Sequence, residues 1–295
     1  MPGAGFYLPM PTIRVPGSTS NLGAGFDCVG LALDLWLEAR IVLGPGPGRF
    51  TGAVAEISPE HEIVSEILGD TLPENHHLEL HSDIPIGKGL GSSAAAAVAG
   101  IVLRESLRHR EPDRDRVFQN AADREGHPDN AAPSVYGGLV LSSPDPMRLK
   151  IGARFAVALA LPHGTIDTKE AREILPDSLP RGDAVAQAAG AAALVYGLTA
   201  GDADLVRRGF EDRIATPHRA KLIAGYGAAV DAGLHAGAFG ATISGSGPAI
   251  LAITTPDLAP SVANAMAEAL TAAGNPAEPM TPKVNETGYQ LGDSR

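Results

Sequence analysis

The chain has 295 residues, 44% of them hydrophobic and 19% charged, which suits one large or two small globular domains and excludes a disordered chain. A formal net charge of -11 argues against nucleic acid or an anionic membrane as a partner, and the single cysteine, Cys28, excludes an internal disulfide and a multi-cysteine zinc site. The opening residues lack a basic region followed by an apolar segment, and no apolar run reaches the ~18–20 residues of a membrane span, so the expected setting is cytoplasmic.

Residues 12–15 read as a short strand, followed by a polar, glycine-rich loop. Over 33–42 the pattern alternates strictly. Leu33, Leu35, Leu37, Ala39 and Ile41 share one face, and Asp34, Trp36, Glu38 and Arg40 the other, as in a half-buried antiparallel strand. "GPGPG" at 44–48 is a turn, 77–82 a strand, 92–109 a helix with Ser92 as N-cap, and 114–124 a polar-faced helix. The first turns of the 92–109 helix are nearly all small, so another element is expected to pack close to it. A strand at 139–142 precedes a candidate boundary, "SPDPMRLKIG" at 143–152. Beyond it come a strand at 155–161, helices at 184–198 and 219–236, strands at 242–244 and 249–254 around "SGSGP", a helix at 261–273 and a closing strand at 284–291. There is no internal repeat, and the order of elements indicates an α+β protein in two halves.

The stretch "PIGKGLGSSAAAAVAG" (85–100) places three glycines within five residues. Glycine costs backbone entropy, so such a loop implies that something approaches the backbone closely. It is not a Walker A loop, because Lys88 lies among the glycines and not before a Ser or Thr. "GLGSSA" fits G-x-G-x-x-A, which leaves a dinucleotide-binding turn, a bare strand-to-helix turn and a phosphate cradle all open. In a cradle, successive N–H groups and the helix N-terminus supply partial positive charge, and Ser92 and Ser93 add hydroxyl donors. Two more polar loops, "VPGSTSNLGAGFDCVGLAL" (15–33) and "GATISGSGPAILAI" (240–253), suggest one site assembled from three distant segments.

These three stretches, in this order, resemble the three motifs of the GHMP kinases. "STSNLGAGFD", "EGHPDNAAPSVYGG" (125–138), "TKEAREILP" (168–176) and "SGSGP" resemble in particular the homoserine kinase branch, over most of the chain. The resemblance implies a two-domain GHMP kinase fold. Residues 1–152 would form an N-terminal α+β domain with a left-handed βαβ unit, an exception to the usual chirality. Residues 153–295 would form a ferredoxin-like domain. It also implies ATP and Mg2+, L-homoserine as phosphoryl acceptor, and a homodimer.

Residue by residue, the resemblance places the ATP phosphates on Pro85, Ile86, Gly87, Lys88, Gly89, Leu90, Gly91, Ser92, Ser93, Ala94 and Ala95. Arg172 and Arg219 would hold the substrate carboxylate. Asn21, Asp27, His127, Asp129, Asn130 and Thr168 would complete the substrate pocket, with Asp129 facing the ammonium. Ser93 and Glu125 would bind the metal, with Asp123 as rival to Glu125. Lys88 would offset phosphate charge, and Asp27 is a candidate general base. The chain departs from its relatives before the glycine loop: where they carry an "N-L-V"-like stretch whose asparagine meets the adenine, "EHEIVSEILGD" (60–70) has no asparagine. A GHMP kinase for another small hydroxy acid or alcohol, and a non-catalytic protein of this fold, are the competing readings.

Overall fold

The computed structural model describes residues 11–46, 48–58, 62–142 and 145–293. The chain opens with a long hairpin. Strand β1 (Pro11–Asn21) pairs antiparallel with the 19-residue β2 (Gly25–Leu43). The alternation read in the sequence is the one observed: Leu33, Leu37, Ala39 and Ile41 are buried, while Asp34, Glu38 and Arg40 face water. The expected loop after residue 15 is instead the second half of β1, kept in the ladder past register shifts at Pro16/Gly17 and Ser20/Asn21. Its polar residues Ser18, Thr19 and Ser20 are fully buried and find partners in other segments.

Strands β3 (Arg49–Gly52) and β4 (His76–Ser82) pair in parallel across α1 (Ile63–Leu68). The glycine loop then feeds α2 (Ser92–Leu107), whose residues Ala94 to Leu103 are all buried. A helix that is apolar all round is a buried helix. Its alanines and Gly100 let α1 lie against it, since a Cβ on Gly100 would press into Ile67. Ser92 is not the N-cap: Gly91, at φ 70°, holds that position, and Ser92 is the first helical residue. Helices α3 (Arg114–Glu125) and α4 (Ala131–Tyr136) and strands β5 (Leu139–Leu141) and β6 (Met147–Leu149) follow. Strands β5 and β6 join the first sheet through β2, so 147–149 belong to that sheet.

The second sheet is built from β7 (Ala156–Pro162), β8 (Gly240–Ile243), β9 (Ile250–Thr254) and β10 (Ala277–Met280), in the order β10-β7-β9-β8. Numbered within this unit the order is 4-1-3-2, the ferredoxin-like arrangement. Period-2 alternation divides its two faces. Val157, Leu159, Leu161, Leu251 and Ile253 join the core beneath the first sheet. Ala158, Ala160, Ile250 and Ala252 pack against α9 (Tyr226–His235) and α10 (Ala259–Ala272). Between β7 and β8 also lie α5 (Thr168–Glu173), α6 (Arg181–Ala200), α7 (Ala203–Gly209) and α8 (Thr216–Arg219). The helix expected over 219–236 is broken: Ile223 is extended and Gly225 has φ 81°, so α8 ends at Arg219 and α9 starts afresh. The closing strand is shorter than expected. Val284 makes one bridge to Leu33, and only β11 (Gln290–Asp293) forms a ladder, antiparallel to β1 in the first sheet.

Candidate active site

A cleft of about 270 Å³ gathers residues from six distant stretches. The end of β1 gives Ser20 and Asn21, and the start of β2 gives Asp27. The glycine loop gives Gly87, Gly89, Leu90, Gly91, Ser92 and Ser93. The end of α3 and the turn after it give Arg124, Glu125, His127, Asp129 and Asn130. Thr168 and Arg172 come from α5, and Arg219 from α8. Gly245 and Ser246 come from the "SGSGP" loop. The three loops singled out in the sequence do converge on one place.

In the glycine loop, Gly87, Gly89 and Gly91 take φ of 67°, 76° and 70°. Left-handed conformations alternating with ordinary ones curve the backbone into a nest of N–H groups. The close approach inferred from the glycines is made first by the protein itself. A Cβ on Gly91 would collide with the Ser18 hydroxyl, and one on Gly89 with the Ser244 carbonyl. Ser244 Oγ donates to Gly89 O at 2.7 Å, and Ser18 N donates to Leu90 O at 3.0 Å. The loop is therefore fastened to β1 on one side and to the "SGSGP" loop on the other.

On the opposite wall, Asp27 and Arg172 form a bidentate pair, with Nη2 to Oδ1 at 2.7 Å and Nη1 to Oδ2 at 3.1 Å. Burial pulls the Arg172 guanidinium down, but the hydrogen bonds and charge of Asp27 outweigh it and raise its pKa. Arg219 is 3% exposed and differs in its partners. It donates to the carbonyls of Ala171 (2.9 Å) and Gly245 (3.0 Å) and stacks over Phe26, with no carboxylate bonded to it among the described residues. Burial, then repulsion from Arg172, lowers its pKa. The cleft thus contains a buried cation that no carboxylate bonds among the described residues, though Asp27, Asp129 and Asp212 attract it from further off, and its free valence favours an anion.

His127 Nδ1 lies 2.7 Å from Asp129 Oδ1, and Asp129 is 2% exposed. Burial pushes the imidazole pKa down, but the Asp129 hydrogen bond and charge carry it above the ordinary value. Asn130 bridges Ser18 and Ser20, and Asn21 donates to Gly245 O at 3.0 Å while its Oδ1 accepts from Asp27 N. Asn21 and Asp27 hold φ of 71° and 55°. Backbone strain of this kind is common at sites that must place a side chain. Thr168 Oγ1 is 3.2 Å from Ser246 Oγ.

Ser93 Oγ donates to Glu125 Oε1 at 2.6 Å beside the glycine loop. A hydroxyl and one carboxylate suit Mg2+, which keeps several waters and takes phosphate oxygens. Asp123 is exposed and does not line the cleft. Lys88 is placed otherwise than the sequence suggested. Its ammonium donates to the carbonyls of Pro162, His163 and Gly164, each at 2.6 Å, so all three donors are spent on the end of β7 and the turn after it. Desolvation lowers its pKa. Pro85, Ile86, Ala94 and Ala95 also fall outside the cleft lining; the two alanines are fully buried in α2. Sequence reasoning named no individual residue in the "SGSGP" loop, and it missed Ser20 and Arg124. Ser20 stands within a quoted motif, and nothing local marks Arg124, which pairs with Glu66 of α1.

The GHMP kinases N terminal domain matches residues 53–138, and the GHMP kinases C terminal domain matches residues 194–272. Homoserine kinase of Trichormus variabilis is 36% identical over 281 residues, covering 89% of this chain and 92% of that protein. A homoserine kinase of Thermus thermophilus is 37% identical over 258 residues, covering 83% and 87%. The crystal structure of homoserine kinase from Cytophaga hutchinsonii superposes with a TM-score of 0.81 at 32% identity, covering 97% of this chain and 98% of that one. A mevalonate kinase structure at 14% identity and TM-score 0.64 shares the fold. With both halves of the fold, the glycine nest and the convergent loops in place, the chain belongs to the GHMP kinase family and groups with its homoserine kinases.

Proposed function

We propose that this protein transfers the γ-phosphoryl group of ATP to the side-chain hydroxyl of L-homoserine, giving O-phospho-L-homoserine and ADP, a step in threonine biosynthesis. The observation that carries the substrate is Arg219, a buried guanidinium without a carboxylate partner, in the same cleft as the glycine nest. It receives the homoserine carboxylate. Arg172 assists from within its pair with Asp27, and Asp129 faces the ammonium. Asn21, Asn130, His127 and Thr168 surround the acceptor with polar groups.

The phosphates lie along 87–93, where the backbone N–H groups and the start of α2 meet their charge. Ser93 and Glu125 would hold Mg2+, which neutralises phosphate charge when bound. The acceptor oxygen forms a bond to the γ-phosphorus, the bond to the ADP oxygen breaks, and the hydroxyl proton leaves. Such transfers run through a loose transition state in which positioning and charge stabilisation do most of the work. Asp27 is the candidate base, and accepting that proton requires its pair with Arg172 to open. The protein acts as a cytoplasmic homodimer in this reading. Among the described residues no helix is long and apolar enough to cross a membrane.

The test is ADP release over a panel of acceptors: L-homoserine, L-threonine, L-serine, mevalonate and galactose. Homoserine is expected to be turned over well above the rest. Equal or better turnover of mevalonate or galactose would sink the assignment, and no turnover of any acceptor would favour a non-catalytic role.

A further inference from the structure

From 184 to 200, helix α6 is built of Ala, Val, Gly, Leu, Tyr and Thr, with one amide among them, Gln187. That side chain is buried and lies outside the cleft lining. A buried amide is costly unless its polar atoms are bonded. Its bonds run to two separate stretches of chain. Nε2 donates to Ala24 O at 2.9 Å and to Asp212 Oδ1 at 3.1 Å, and Oε1 accepts from Arg213 N at 2.7 Å. One turn further along α6, Gly190 makes room for the same Ala24, since a Cβ there would come within 2.8 Å of the Ala24 Cβ. Ala24 closes the turn from β1 into β2, and Asp212 and Arg213 lead into α8. The two stretches carry different walls of the cleft: Asn21 and Asp27 flank the turn, and Arg219 ends α8.

Helix α8 has only four residues, too few to hold a helical turn unaided. Its start is fixed by the Asp212 carboxylate, which accepts from Ile214 N (2.9 Å), Ala215 N (3.0 Å) and Thr216 N (2.6 Å). Its end follows from its start, because Arg219 N donates to Ala215 O at 2.9 Å. Gln187 fixes the carboxylate through Nε2 and the neighbouring backbone through Oε1, so the amide orients the whole turn that presents Arg219. The β1–β2 turn has a further anchor of its own: Ala24 N donates to Gly209 O at 2.8 Å. Loss of the amide therefore frees the α8 side more than the turn. A group misplaced by ~1 Å can cost as much as ~100-fold in rate.

We infer that Gln187 is a positioning residue: acting through Asp212 and α8, it sets the spacing between Arg219 and the Asn21–Asp27 wall, and so controls recognition of the acceptor's carboxylate without touching it. The inference rests on the homoserine reading and adds the residue that holds its carboxylate site in register.

The test is the kinetics of Gln187→Met, which keeps the volume and removes the hydrogen bonds, on L-homoserine and on 3-aminopropanol, alone and in the Arg219→Leu background. Alone, it is expected to lower kcat/KM for homoserine about tenfold, mostly through KM, while changing that for 3-aminopropanol less than about threefold and leaving the KM for ATP in place. In the Arg219→Leu background it should change homoserine kcat/KM less than about twofold, because the group it acts through is gone. A merely structural amide would weaken both acceptors alike and keep its full effect in that background. Either of those results, or no loss at all, overturns the inference. Should the Met variant fail to fold, Gln187→Glu takes its place: it keeps the acceptor for Arg213 N, lacks both donors, and should lose the same selectivity. Unfolding of both variants would assign the side chain to the fold alone and also overturn the inference. Homoserine turnover that is insensitive to Gln187 leaves the kinase reading standing. No preference for homoserine over 3-aminopropanol in the unaltered protein overturns both.

Discussion

Arg219 and Arg172 are the same residue type in the same cleft, yet they are in different electrostatic states. Arg172 is already compensated by Asp27, and Arg219 is not. Arg219→Leu is therefore expected to lower kcat/KM for homoserine about 10–100-fold, the value of one or two charge-assisted hydrogen bonds. It should scarcely change that for 3-aminopropanol, which has no carboxylate, or the KM for ATP. Equal losses on both acceptors would mean that Arg219 only supports the fold. For His127, the sign follows from its raised pKa. The stabilisation from its pair with Asp129 is fully present below the ordinary histidine value of about 6.5 and fades as pH rises through the folded value. A ring-proton NMR titration should give a midpoint above that of free histidine, and Asp129→Asn should bring it down. A third contrast concerns glycine. Gly91→Ala forces a Cβ into Ser18 at φ 70° and should cost about 2–5 kcal/mol in chemical denaturation. Gly126→Ala, at φ 78° with open space around it, should cost only about 1 kcal/mol.

At the scale of elements, the glycine loop is a stitched object. The Lys88 ammonium ties it to three carbonyls at the end of β7 and in the turn after it, and Ser244 ties it to the loop between β8 and β9. Lys88→Met should therefore raise the KM for ATP about tenfold while changing kcat much less, and should speed amide exchange around 163–165. A loss in kcat with exchange unchanged would restore a direct role for Lys88 at the phosphates. Such ties explain what could be read from the sequence and what could not. The alternation of β2 and the small-residue start of α2 are periodic, so burial is written into neighbouring positions. The partners of Lys88 lie 74 to 76 residues away and that of Arg172 145 residues away, and no local pattern encodes them. The break between α8 and α9 was missed because small residues keep a helical spacing straight through Gly225. Strand β10 was missed because "AEPM" contains a proline and no apolar run, as an edge strand can. The site residues fared better because the three loops each carry a dense polar and glycine signal.

At the scale of the molecule, one core runs beneath both sheets, so the walls of the cleft are parts of a single packed body. The first strand is finished by the last: Arg14 pairs with Gln290 and Pro11 with Asp293. During synthesis, β1 emerges before all the other described strands and helices, but its outer hydrogen-bonding row waits for β11, which follows all of them. Until then it is an open template for any extended peptide nearby, including another nascent copy of the same chain. The short β11 works in effect as a seam sealed late, and it couples translation through Gln290–Asp293 to solubility of the product. A message truncated just before Gln290, well past the last cleft residue Ser246, leaves every cleft residue encoded and this seam unsealed. Its product should enter inclusion bodies or elute as large assemblies.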